Sequence, residues 1–205
     1  MIPVKVLAVQ YLSAVTPELS RALGTDAPCL GLITTDSDDP TYIALDQATK
    51  DAQVSVCYGR SFYAGAGNAT TPLAGEVIGI LAGPTPGAVR SGMEAALGAL
   101  QRIGFEQTRD VPYLAHTVSR TGSFLAKEAG VAEGSAIAYL IAPPLESMYA
   151  MDAALKAADV TLCKLYAPPS ETNFGGGLLS GTQSACQAAC AAFAAAVAEV
   201  AGRPK

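Results

Sequence analysis

Asp46-Gln47-Ala48-Thr49-Lys50-Asp51-Ala52-Gln53-Val54 recurs 106 residues further on as Asp152-Ala153-Ala154-Leu155-Lys156-Ala157-Ala158-Asp159-Val160. Asp, Ala, Lys, Ala and Val hold the same places in both copies, and a tyrosine precedes each, Tyr42 and Tyr149. The Asp and Lys of each copy are four apart, one helical turn, and the closing Val opens a β-branched run. Each copy is followed by the same succession: a strand (54–58; 161–166), a glycine-rich loop (63–75; 170–177) and a long helix of small residues (86–103; 182–200). Five matches in an alanine-rich chain can arise by chance, so the shared order of elements carries the case for a duplication.

Composition agrees with repeated units that assemble. The 205 residues suffice for two domains of about 100 residues each. Hydrophobic residues make up 50% and charged residues only 15%, against about 25% charged in an average globular protein. So little polar surface implies that much of the outside is buried against other copies. The net charge of −5 offers no basic patch to neutralise phosphates, which argues against nucleic acid as a partner.

Residues 1–11 alternate like a strand and lack the basic start and long apolar core of a signal peptide. The alanine-rich stretch 185–198 is shorter than the ~20 residues that span a bilayer and is interrupted by Gln187, so it is expected to be a buried helix and not a membrane anchor. Five cysteines without export signals fit a reducing cytosol. Cys186 and Cys190 are one helical turn apart, but the single histidine, His116, leaves them short of a four-ligand zinc set. No metal or other cofactor is expected.

Strand-like runs fall at 4–12, 30–35, 54–58, 76–81, 136–141 and 161–166, with helices between them. Thr16-Pro17, Asp39-Pro40 and Thr85-Pro86 read as helix starts, each a capping side chain before a proline; Gly24, Gly104 and Gly130 read as stops. Two strand-first, helix-last units predict an α+β fold, an antiparallel or mixed sheet with helices on one face. The expected division is 1–107 and 108–205.

The stretch 152–160 resembles the helix-to-strand signature of bacterial microcompartment shell domains. Longer islands resemble the tandem-domain shell proteins of ethanolamine-utilisation microcompartments: Asp36-Ser37-Asp38-Asp39-Pro40-Thr41-Tyr42, Tyr58-Gly59-Arg60-Ser61-Phe62-Tyr63, Ser119-Arg120-Thr121-Gly122-Ser123, Ala142-Pro143-Pro144-Leu145-Glu146 and Pro168-Pro169-Ser170-Glu171-Thr172-Asn173-Phe174. The resemblance implies two circularly permuted, ferredoxin-like domains per chain. It also implies a flat pseudohexameric homotrimer that tiles with other shell proteins around ethanolamine-degrading enzymes in the cytoplasm, and no enzymatic activity. Lys50 and Lys156 fall where the family places a lysine at the tile edge. The chain departs from the family at Gly83-Pro84-Thr85-Pro86, where shell domains often carry an Arg-Pro-His-like loop.

Asp36, Asp38 and Asp39 follow a strand and Glu76 opens another. Carboxylates with no nearby base suit a small cation, and ethanolamine presents an ammonium and a hydroxyl. By the same resemblance Asp38, Asp39, Glu76, Phe105, Thr172 and Asn173 line a small pore that binds ethanolamine. For Asp39 a second reading stands beside that one, a cap on a helix starting at Pro40. The glycines of Phe174-Gly175-Gly176-Gly177 lack the Lys-Ser/Thr of a phosphate loop and read as a mobile segment. In the resembled family, loops at the three-fold axis open and close a central pore. Asp36-Ser37-Asp38 also has the spacing of aspartyl-phosphate phosphatases, but Pro40 stands where those want Thr or Val, and their downstream lysine and metal ligands have no counterpart. A soluble trimeric small-molecule sensor of the same build is the remaining alternative.

Overall fold

The computed structural model describes residues 1–62, 76–168 and 173–203. In chain order the elements are β1 (Val6–Leu12), α1 (Pro17–Ala22), β2 (Cys29–Thr35), α2 (Asp38–Asp51), β3 (Ser55–Phe62), β4 (Glu76–Gly83) and α3 (Pro86–Leu100). There follow β5 (Glu106–Thr108), β6 (Val111–Val118), α4 (Ser123–Ala129), β7 (Ala136–Ala142), α5 (Pro144–Ala157), β8 (Val160–Tyr166), β9 (Gly175–Gly181) and α6 (Gln183–Gly202). One sheet has the order β1-β2-β4-β3, and the other, after the short β5, repeats it as β6-β7-β9-β8. Every pairing is antiparallel. With α2 and α5 also 106 residues apart, the duplication holds element by element.

Two details deepen the match beyond what the sequence showed. The edge strands β3 and β8 both break register, between Val56 and Tyr58 and between Leu162 and Lys164, and a cysteine sits at each break, Cys57 and Cys163. Such bulges twist an edge strand away from further pairing. The last helices bury the same face: Val89, Gly92, Met93, Ala96, Ala99 and Leu100 on α3, and Cys186, Ala189, Cys190, Phe193, Ala196 and Val197 on α6, each pair 97 residues apart. Both follow the three-four spacing of a helix laid on a sheet.

The chain forms two compact units. The first comprises Pro3–Ile103 with Gly122–Leu125, so four residues from the second repeat belong to it. Its helices α2 and α3 pack on each other and on the sheet, and Leu30, Ile80 and Ala82 form a smaller cluster with Val15 and Leu23. The second comprises Met1–Ile2, Gly104–Thr121 and Ala126–Lys205. Its core joins α5, α6 and the sheet through Leu140, Met151, Leu179 and Phe193. Helix α6 is long and apolar enough to cross a membrane, but one face of it forms part of this core.

The punctuation residues fall largely where expected. Gly24 and Gly130 follow α1 and α4 with positive φ of 75° and 66°, which glycine adopts without strain. Thr85 accepts the Ala88 N–H at 3.1 Å and Pro86 takes the first helical position. Asp39-Pro40 is a correction: α2 starts at Asp38 with Ser37 as its cap residue, so Asp39 is in the first turn and is not the cap. A second correction concerns 175–177, which form the start of the central strand β9 between β7 and β8 and no loop. Glycine is required there by close approach: a Cβ on Gly176 or Gly177 would strike the backbone oxygen of Leu140 or Lys164. The expected glycine-rich loop 63–75 lies outside the described residues.

Asp46 holds the borrowed segment in the first unit. Its carboxylate is fully buried, accepts the N–H groups of Gly122 and Leu125 at 2.8 Å each, and lies 3.4 Å from Lys50 Nζ. Thr49 Oγ1 accepts the Ser123 N–H at 3.1 Å, and the Tyr42 and Phe124 rings meet at 6.0 Å. Replacing Asp46 with Ala would leave two N–H groups without their acceptor, and thermal or urea unfolding should show a loss of about 2–4 kcal/mol. Asp51→Ala on the exposed end of α2 should stay within about 0.5 kcal/mol.

Candidate functional site

The turn from β2 into α2 is tied by hydroxyls. Thr35 Oγ1 and Thr41 Oγ1 both donate to the Ser37 carbonyl, at 2.9 and 2.7 Å. That anchoring fixes the first turn of α2 and buries the two acidic residues on it, Asp38 (4% exposed) and Asp39 (7%). The Asp39 N–H donates to Asp38 Oδ1 at 2.9 Å, and Ser61 on β3 adds a side-chain hydrogen bond to Asp38. Among the described residues the buried Ser37 hydroxyl has no hydrogen-bond partner. Glu76, half-buried, opens β4 opposite Phe62 of β3. Asp36 accepts the Lys5 N–H at 2.8 Å.

Burial pushes the Asp38 carboxyl up to about 6, against the opposing pull of hydrogen bonds from Asp39 and Ser61. Carboxylates normally gain at a helix N-terminus, so here desolvation outweighs the helix and its local donors. A buried carboxyl kept part-protonated beside a second buried carboxyl is a site that gains from a cation, because a positive charge restores what burial removed.

Phe105 and Asn173 belong to the second unit. Phe105 is 1% exposed and packs edge-on against Phe174 with ring centroids 5.9 Å apart. Its ring is therefore core, and its carbonyl accepts the Ile2 N–H at 2.6 Å. Asn173 is exposed and adopts φ of 68°, a conformation asparagine tolerates. Thr172 lies outside the described residues. Ser37 and Ser61 were not singled out in the sequence, although both stand inside motifs quoted for the resemblance; nothing short of the fold places Ser61 against Asp38.

No group of three or more His, Cys, Asp or Glu arranged to hold a metal occurs among the described residues. Cys190 accepts the Thr117 hydroxyl at 3.4 Å, and burial raises its thiol to about 11, leaving an unreactive core residue.

A four-stranded and a five-stranded antiparallel sheet, each with its helices and each repeating one strand order along a single chain, fit the tandem-domain shell-protein class of bacterial microcompartments. The BMC domain family matches residues 29–111, from the start of β2 to the start of β6. The bacterial microcompartment shell protein EutL of Clostridium perfringens is 58% identical over 97% of this chain and 94% of its own length. EutL of Escherichia coli K12 is 48% identical over the same shares. Crystal structures agree: EutL from C. perfringens has a TM-score of 0.93 at 58% identity, covering 99% of this chain and 95% of its own. The ethanolamine utilization protein EutL from Leptotrichia buccalis has a TM-score of 0.93 at 55% identity, with 99% and 96% covered. The chain belongs to the EutL family of bacterial microcompartment shell proteins, which are structural proteins and not enzymes.

The raised Asp38 value sets a pH dependence. The native state holds a proton that the unfolded chain, with a carboxyl near 3.8, has already lost. This contribution to stability is therefore complete below about pH 4 and is lost as pH rises through about 6. Comparing Asp38→Asn with the parent by urea unfolding between pH 4 and pH 7 should isolate it. The difference in stability should shift toward the variant by about 2–3 kcal/mol across that window.

Proposed function

We propose that the chain is a shell tile of the ethanolamine-utilisation microcompartment in the cytoplasm. Three copies form a flat homotrimer whose six wedges are domains 1–107 and 108–205 in alternation, and these trimers pack beside other shell proteins. Membership of the EutL family carries this reading, and the chain's low charge content supports it. Each subunit carries a small acidic pore in which Asp38, Asp39 and Glu76 meet the ammonium of ethanolamine. The family resemblance adds Phe105, Thr172 and Asn173 to that pore. Passage is passive, and the carboxylates favour cationic or neutral polar solutes over anions.

Two measurements test the reading. Electron microscopy of concentrated protein should show ordered two-dimensional sheets; discrete particles at every concentration favour a soluble sensor instead. Calorimetry with ethanolamine should show affinity that falls as pH drops through about 6, because the cation and the Asp38 proton compete. Glu76→Gln should weaken binding by about tenfold, the cost of losing one charge-assisted contact. Affinity independent of both pH and Glu76 removes the acidic cluster from the binding site.

A further inference from the structure

The two repeats present the same helix surface in opposite states. On α2 the positions Asp39, Ile43 and Asp46 are buried, and on α5 their equivalents 106 residues on, Leu145, Tyr149 and Asp152, are exposed. Met148, which corresponds to Tyr42, is exposed as well. Asp46 is covered by Gly122–Leu125 of the second repeat. Asp152, with 65% of its side chain open, pairs with Lys156 at 2.5 Å. The segment equivalent to Gly122–Leu125 is Thr16–Leu19, at the start of α1, and the shared glycine stops Gly24 and Gly130 fix that register. It is open too: Leu125 is 0% exposed and its counterpart Leu19 is 45% exposed. The Thr16 side chain makes no cap bond to the first turn.

We propose that the α5 face of one chain seats the Thr16–Leu19 turn of a second copy, with the Asp152 carboxylate accepting the backbone N–H groups of Thr16 and Leu19. The occupant is identified by the joint already made once inside the chain, where Asp46 accepts the corresponding groups of Gly122 and Leu125. A paired exchange supports it. In the internal joint Thr49 Oγ1 accepts the Ser123 N–H. Their equivalents are Leu155 and Pro17, so the acceptor disappears from one side where the donor disappears from the other. An unmatched change would strand a buried polar group; the matched change leaves an apolar contact. Exposed Leu145, Met148 and Tyr149 then find cover with Leu19 at the same joint. Because the donor turn and the acceptor helix are different patches, the contact is heterologous and closes only as a ring.

This inference rests on the homotrimer reading and adds the residues that join one subunit to the next. Glu18 and Met148 correspond to the touching pair Phe124 and Tyr42. The double variant Glu18→Cys with Met148→Cys, treated with a short bis-maleimide, should give covalent dimers and trimers on denaturing gels. Either single variant and the parent should stay at the monomer position. Native mass spectrometry of the untreated double variant separates the two readings. Trimers that fail to cross-link between chains overturn this joint while leaving the assembly intact, and absence of any trimer for the parent overturns the assembly itself. As a second measure, Asp152→Ala should speed subunit exchange between mass-labelled trimers by about tenfold or more, and an unchanged rate removes Asp152 from the joint.

Discussion

A fully buried carboxylate has to be supplied with donors, and the way Asp46 is supplied organises this chain. Desolvating an aspartate costs several kcal/mol, and the cost is recovered only when hydrogen bonds replace the lost water. Its donors come from Gly122 and Leu125, more than seventy positions away, with Lys50 adding charge from its own helix. Four residues of the second repeat are thereby held in the first unit. Gly122 is needed for the fit, since a Cβ there would stand 2.7 Å from the Asp46 carbonyl oxygen.

The conserved geometry of the two repeats places different chemistry at equivalent points. On the first repeat the start of α2 carries Asp38 and Asp39, both buried, with the Asp38 carboxyl pushed up by that burial. On the second, α5 begins Pro144-Leu145 and has no acid at either place. The acidic cluster is therefore a property of one half only, and a ring of three chains would carry three such clusters and not six. A duplicated chain permits this division, because each copy is free to diverge where a hexamer of identical domains is not.

Much of the architecture was legible in the sequence because it depends on local signals that occur twice. The Asp-Lys helix turn, the Thr85-Pro86 start and the positive-φ glycines Gly24 and Gly130 each act within a few residues. The failures came where tertiary context overrides local preference. Gly175–Gly177 has the composition of a loop, yet close approach to the strands on either side makes glycine the residue a central strand needs there. Asp39-Pro40 has the look of a cap, but Thr35 and Thr41 draw the helix start back to Asp38 by binding the Ser37 carbonyl. The acidic cluster was legible as a set of carboxylates. Its burial and the Ser61 partner from β3 were not, because both arise from strand pairing across the sheet.

A single-particle or crystallographic map of the purified assembly tests the central claim most directly. The account requires three chains about one axis, with first and second repeats alternating around the ring and superposable on each other. A lone protomer, a two-fold dimer, or a ring in which like repeats face each other would contradict it.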